Sequence, residues 1–155
     1  QWERYRVSLG DNVPRTFDTF LKHKRAGDEK YKLWKNSYRE AKQLEKYSKV
    51  RYHEDGTVVV TDTWKEHRSI PATYRPNAVV ETRFPKRQID RIFYDGQGHM
   101  SIQIHSGDHG YPKSHRRGVH GEHAHEFVYD DNGTIISRFE RELTDAERKE
   151  NSDIL

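Results

Sequence analysis

The 155-residue chain contains no cysteine, a single methionine and only five prolines. Without cysteine there are no disulfides, no cysteine-ligated zinc and no thiol catalysis, and the redox compartment stays open. No apolar run approaches the length of a membrane span or the core of a signal peptide, so a membrane is not expected among its partners. Apolar residues are also scarce, at 32% against 34% charged, with a mean hydropathy of -1.18. Aromatic residues offset this thin supply. Nine Tyr, six Phe and three Trp each bury a large area, and together with mixed charge they argue against disorder. The length fits one domain, residues 1–155. A formal charge of +3 permits nucleic acid as a partner without requiring it. The chain begins at Gln1 rather than Met, which reads as a fragment cut from a longer polypeptide.

Residues 1–48 have a helical rhythm. Trp2, Tyr5 and Leu9 share one face before Gly10, and Asn12 with Pro14 is expected to cap and open a second helix carrying Phe17, Phe20 and Leu21. Gly27 and Asp28 break and recap the chain, after which Tyr31, Trp34, Tyr38 and Ala41 form an apolar stripe. From Lys49 the period becomes two. Three hairpins are expected across residues 49–143: Lys49–Thr61 around Asp55-Gly56, Asp90–Ile104 around Gly96, and Glu126–Arg138 around Asn132-Gly133. The proline-bearing stretch from Trp64 to Pro85 reads as a loop with one short extended piece at Ala78–Glu81. Thr144 and Glu147 form a capping box for a short helix at 144–150. Helices first and hairpins afterwards define an α+β fold, with N-terminal helices packed on one face of an antiparallel sheet.

Seven of the ten histidines fall in one glycine-rich stretch: His99, His105, His109, His115, His120, His123 and His125. Imidazole titrates near neutrality and also ligates metals, so this density points to chemistry. The connection itself runs over residues 105–125. If a strand begins near His123, then His123 and His125 share a face, and an adjacent antiparallel strand ending at His105 brings a third imidazole beside them. His23, His53, His67 and His99 sit in ordinary contexts and receive no role.

Two chemistries suit this set. In metal-independent RNA cleavage, His105, His123 and His125 carry the protons as acid and base. His109, Lys113, Arg116 and Arg117 then contact phosphate, Tyr111 stacks on a base, and backbone N–H groups around Ser106–Gly110 receive an anion. That reading needs no cofactor. The alternative is a divalent metal such as zinc, manganese or nickel, held by His120, Glu122, His123 and His125, with His105 or Asp108 as substitutes, in a metal-dependent hydrolase or nuclease. A third reading is a non-catalytic component that binds nucleic acid or a head protein.

The N-terminal pattern Tyr5…Leu9-Gly10…Asn12…Pro14…Thr16-Phe17…Phe20, followed by Trp34…Tyr38-Arg39, resembles a segment late in phage minor head proteins of the Mu-like head-morphogenesis type. The part from Arg91 onward, with its His-Ser-Gly-Asp-His-Gly and His-Gly-Glu-His-Ala-His pieces and the ending Arg141-Glu142-Leu143-Thr144…Arg148-Lys149-Glu150-Asn151, is similar to C-terminal modules of such proteins. These modules are commonly exchangeable toxins that attack nucleic acid. The resemblance therefore implies a toxin-like ribonuclease in a virion or a bacterial cytoplasm. Its expected partners are RNA, the parent head protein and, where the toxin type requires one, an immunity protein. The resemblance supplies no site residues.

Overall fold

The computed structural model describes residues 1–54, 58–61, 70–83, 88–114, 116–131 and 133–155, without the side chains of Tyr47, Val58 and Arg83. The Asp55-Gly56 turn, His67 and His115 lie outside the described residues. Helix α1 (Trp2–Leu9) is followed by a 3₁₀ turn at Gly10–Asn12, then α2 (Phe17–Ala26) and α3 (Glu29–Tyr47). Seven strands come next: β1 (Lys49–Tyr52), β2 (Val58–Thr61), β3 (Val79–Arg83), β4 (Ile89–Tyr94), β5 (Met100–His105), β6 (His123–Tyr129) and β7 (Ile135–Arg141). Helix α4 (Asp145–Glu150) follows the last strand. The α+β expectation holds.

The helix boundaries follow from side-chain chemistry. Thr16, not Asn12, caps α2: its hydroxyl accepts from Thr19 N at 3.4 Å. The Asn12 amide instead donates back to Leu9 O at 3.0 Å and across to Gln97 O, so it ties the helical layer to the β4–β5 turn rather than opening a helix. Gly27 ends α2 at φ +61°, a left-handed conformation that glycine adopts without a Cβ penalty. Asp28 then caps α3 by accepting from Tyr31 N at 3.0 Å. Helices α1 to α3 bury Tyr5, Leu9, Val13, Phe20 and Trp34 against one another, with Tyr5 edge-on to Phe20 and Phe20 stacked on Trp34. These are mostly aromatic contacts, which is how a chain poor in aliphatics builds this part of its core.

The strands lie in the order β1 to β7, each beside its successor. All neighbours are antiparallel except β2 and β3, which run parallel with Val59 opposite Val79. The long connection between them allows this pairing, and it corrects the expectation of an all-antiparallel sheet. The extended piece expected at Ala78–Glu81 is β3.

Alternation along the strands gives the sheet two distinct faces. One carries Val60, Val80 and Ile92 and is covered by Ala41 and Leu44 of α3, together with Tyr74, Tyr94 and Met100. The other carries Ile104 and Ala124 and is covered by Leu143 and Ile154 of the C-terminal segment. Covering both faces lets a thin core stay dry. The C-terminal segment is locked by Arg91, which reaches Glu81, Asn151 and Asp153 at 3.1, 2.9 and 2.7 Å.

The capping box forms as expected: Glu147 N donates to the Thr144 hydroxyl at 3.2 Å, and Thr144 N to the Glu147 carboxylate at 2.9 Å. Arg141 adds a two-pronged ion pair at 2.7 and 2.8 Å. That guanidinium, opposed by burial and helped by the Thr144 N–H, lowers the Glu147 carboxyl from its usual 4.5 to about 2. A depressed carboxyl stabilises the fold fully above its unfolded value and loses that contribution as pH falls through its folded value. The melting temperature is therefore expected to drop between about pH 4.5 and pH 2, and Glu147→Gln to flatten that drop while lowering stability at pH 7. Thermal melts of both proteins across this range check it.

Candidate functional site

The site is built by the register of β5 and β6. Their antiparallel pairing sets His105 opposite His123 and Gln103 opposite His125. All four residues lie on the face that carries Ile92, the same face that α3 covers further along the sheet. The His105 and His123 rings stack at 4.8 Å, and His125 stands edge-on to both at 5.0 Å. The expected convergence of His105, His123 and His125 is thus present.

A fourth imidazole joins from the connection. His109 packs edge-on against His105 at 4.3 Å and against His123 at 5.3 Å. The connection is pinned there by Gln88, just before β4. Its carbonyl oxygen accepts from His109 N at 2.9 Å, and its amide donates to Asp90 at 2.8 Å and to His109 Nδ1 at 2.6 Å. His109 also holds a left-handed backbone, φ +56°, which costs a non-glycine residue of order 1 kcal/mol. The clamp by Gln88 maintains it.

The two buried imidazoles differ in how they are held. His123 Nδ1 donates to Gly121 O at 2.8 Å; a carbonyl can only accept, so the neutral ring keeps its lone pair on Nε2. Gly121 sits at φ +82°, and a Cβ there would come within 2.5 Å of Asp108. Only glycine lets the two ends of the connection touch and aim this carbonyl. His105 is 96% buried, judged from its 4% side-chain exposure, and its Nδ1 lies 2.8 Å from Asp90 Oδ1. The carboxylate lies off the ring's N–H direction, and neither nitrogen of His105 has a hydrogen-bond partner. A buried imidazole left in this state is costly unless something else engages it.

His125 is half-buried. Burial first, then the charge of Arg138 and the neighbouring imidazoles, push it down to about 3, so it is neutral over the working range of pH. Across the β6–β7 ladder it faces Glu140, which Arg117 of the connection holds at 2.7 Å. Donor atoms of His105, His109 and His123 lie within 4.8 Å of one another, and so do those of His123, His125 and Glu140.

Other expected residues fall elsewhere. His120 is exposed and belongs to neither group. Glu122 is buried, but it turns toward α4: it accepts from Arg148 at 2.6 Å and from the N–H groups of Val119 and His120 at 3.0 and 2.7 Å. Burial raises its carboxyl, but the N–H donors and the Arg148 guanidinium outweigh that and hold it at about 2. The set His120, Glu122, His123 and His125 is therefore not brought together. Asp108 accepts from Gly110 N at 2.7 Å within its own turn. That bond, with the one from His109 N to Gln88, uses up N–H groups that an anion would have needed. Lys113, Arg116 and Tyr111 are exposed on the connection, and Arg117 is committed to Glu140. Asp90, Gln88, Glu140 and Arg138 were not singled out from sequence. Counting back from the Gly96 turn pairs Asp90 with Ile104, and the register shift between Phe93 and Tyr94 moves it opposite His105.

Fold and site together define an α+β protein with a four-imidazole centre on one sheet face. Comparison with family models, with curated proteins and with solved structures finds no match to this chain. Among the described residues, no helix is long and apolar enough to cross a membrane.

The Glu122–Arg148 pair is expected to be structural. Removing Arg148, which is one-third exposed, strands a carboxylate that is 6% exposed at its side chain. Arg148→Ala should cost about 1–3 kcal/mol in urea denaturation, and adding Glu122→Gln should recover part of the loss.

Proposed function

We propose that this chain is a hydrolase that cleaves phosphodiester bonds of nucleic acid, RNA first, at the four-histidine centre. The observation that carries this reading is the cluster of His105, His109, His123 and His125 on one sheet face, with His105 and His123 each in ring contact with the other three. Cations border it. Arg138 acts on His125 electrostatically, and exposed Lys113 and Arg116 lie on the connection that delivers His109. Together they offer charge to a phosphate backbone. Tyr111, 68% exposed, offers a flat surface for a base. The resemblance to phage head-protein toxin modules points to the same substrate class.

The division of labour differs from a simple pair of proton-transferring histidines. With its proton affinity held at about 3, His125 does not carry a proton at neutral pH and cannot begin a cycle as the acid. It serves as an acceptor. His105, with the Asp90 carboxylate beside it, and His123, fixed by Gly121, are the groups placed to engage the reacting atoms.

Purified protein incubated with total RNA, with divalent metal supplied, is expected to yield fragments. His123→Gln should reduce the rate by about 10²- to 10⁴-fold while the far-UV spectrum stays native. Intact RNA with the wild type, or equal cleavage by the variant, would contradict the reading.

A further inference from the structure

We infer that His105, His109 and His123 form a three-imidazole site for a borderline-soft divalent ion such as zinc or cobalt. This deepens the hydrolase reading by naming what the centre holds.

Four observations converge on it. The three donors already lie within 4.8 Å of one another. Metal–nitrogen bonds of 2.0–2.1 Å in a tetrahedron place nitrogens about 3.3 Å apart, so modest ring tilts complete the site. His105 is buried with no hydrogen bond at either ring nitrogen and only the Asp90 carboxylate beside Nδ1, and an ion at Nε2 satisfies it. Asp90, 2.8 Å from Nδ1, is near enough to take that N–H, which gives the carboxylate–histidine–metal arrangement typical of such ligands. His123 is prepared as a ligand, because Gly121 O fixes its proton on Nδ1 and so sets the ring's lone pair on Nε2.

His109 is the adjustable member. It comes from the connection rather than a strand, and Gln88 addresses its Nδ1. Metal binding gives up only the Gln88 contact at Nδ1, while the bonds from His109 N and to Asp90 keep Gln88 in place. An all-imidazole set selects zinc, cobalt, nickel or copper over magnesium or calcium, which prefer oxygen. Three protein ligands leave the fourth position for water.

The ion also supplies a nucleophile. A coordinated water loses its proton near neutrality and gives it to solvent. Its oxygen bonds to phosphorus, the bond to the leaving oxygen breaks, and that oxygen takes a proton from solvent.

The test is binding of Co²⁺ and Zn²⁺ to the full chain after stripping with chelator. One equivalent is expected, with visible cobalt bands of a four-coordinate nitrogen site and a rise of several degrees in melting temperature with zinc. His123→Gln and His105→Gln should abolish these signals, and His109→Ala should weaken affinity about 10- to 100-fold. His120→Ala should leave them unchanged. If His105→Gln fails to fold, the partly exposed His109 and His120 variants decide the matter alone. No binding, or binding that survives His123→Gln and falls with His120→Ala, would overturn the site. A loaded protein that leaves RNA intact would instead retire the hydrolase reading and leave the metal site standing. Cleavage by protein that binds no metal would do the reverse.

Discussion

Everything at the centre depends on the antiparallel register that sets His105 opposite His123. A slip of β6 by one residue against β5 would turn His123 and His125 to the opposite face, beside Ile104, and part them from His105. That opposite face is what prevents the shift. Ile104 and Ala124 are almost wholly buried beneath Leu143 and Ile154, so slipping would expose apolar side chains and bury imidazoles in their place. The C-terminal segment therefore positions the histidines without touching them. Arg91, joined to Asn151 and Asp153, fastens that segment to β4, the strand that also supplies Asp90.

The connection between β5 and β6 then acts as a folded flap held at several points. Ser106 exchanges bonds with Ile89, Gln88 holds His109, Arg117 holds Glu140, and Glu122 gathers the N–H groups of its own turn under Arg148. Each anchor uses a polar group that would otherwise be stranded as the chain crosses a half-buried face. Among the described residues the segment has no helix or strand, and these anchors hold it at the site. His109 in a left-handed conformation is the local cost of that arrangement.

Much of this was legible before any coordinates. Asp28 and Thr144 announced their helices because capping is a local interaction, readable from four residues. The His123 and His125 spacing was decisive because a strand has a period of two. What escaped were the non-local terms. Asn12 looked like a cap, but tertiary bonds to Leu9 and Gln97 claimed its amide. Glu122 looked like a ligand because it sits between histidines. The residue before a strand can turn either way, and Arg148, distant in sequence, drew it aside. Gln88 and His109 meet only because the connection folds back, which no local pattern encodes. The parallel pairing of β2 with β3 was hidden for the same reason.

The central claim is that the buried ring of His105, which has no hydrogen bond at either nitrogen, is completed by a metal ion shared with His109 and His123. The most direct measurement is an anomalous difference map from crystals of the protein grown with zinc, recorded at and below the zinc edge. The account predicts one strong peak about 2.0–2.1 Å from a nitrogen of each of these three histidines, with His105 Nδ1 turned onto Asp90. A well-ordered site with no peak there, or a peak held by other residues while His105 keeps its present surroundings, would contradict it.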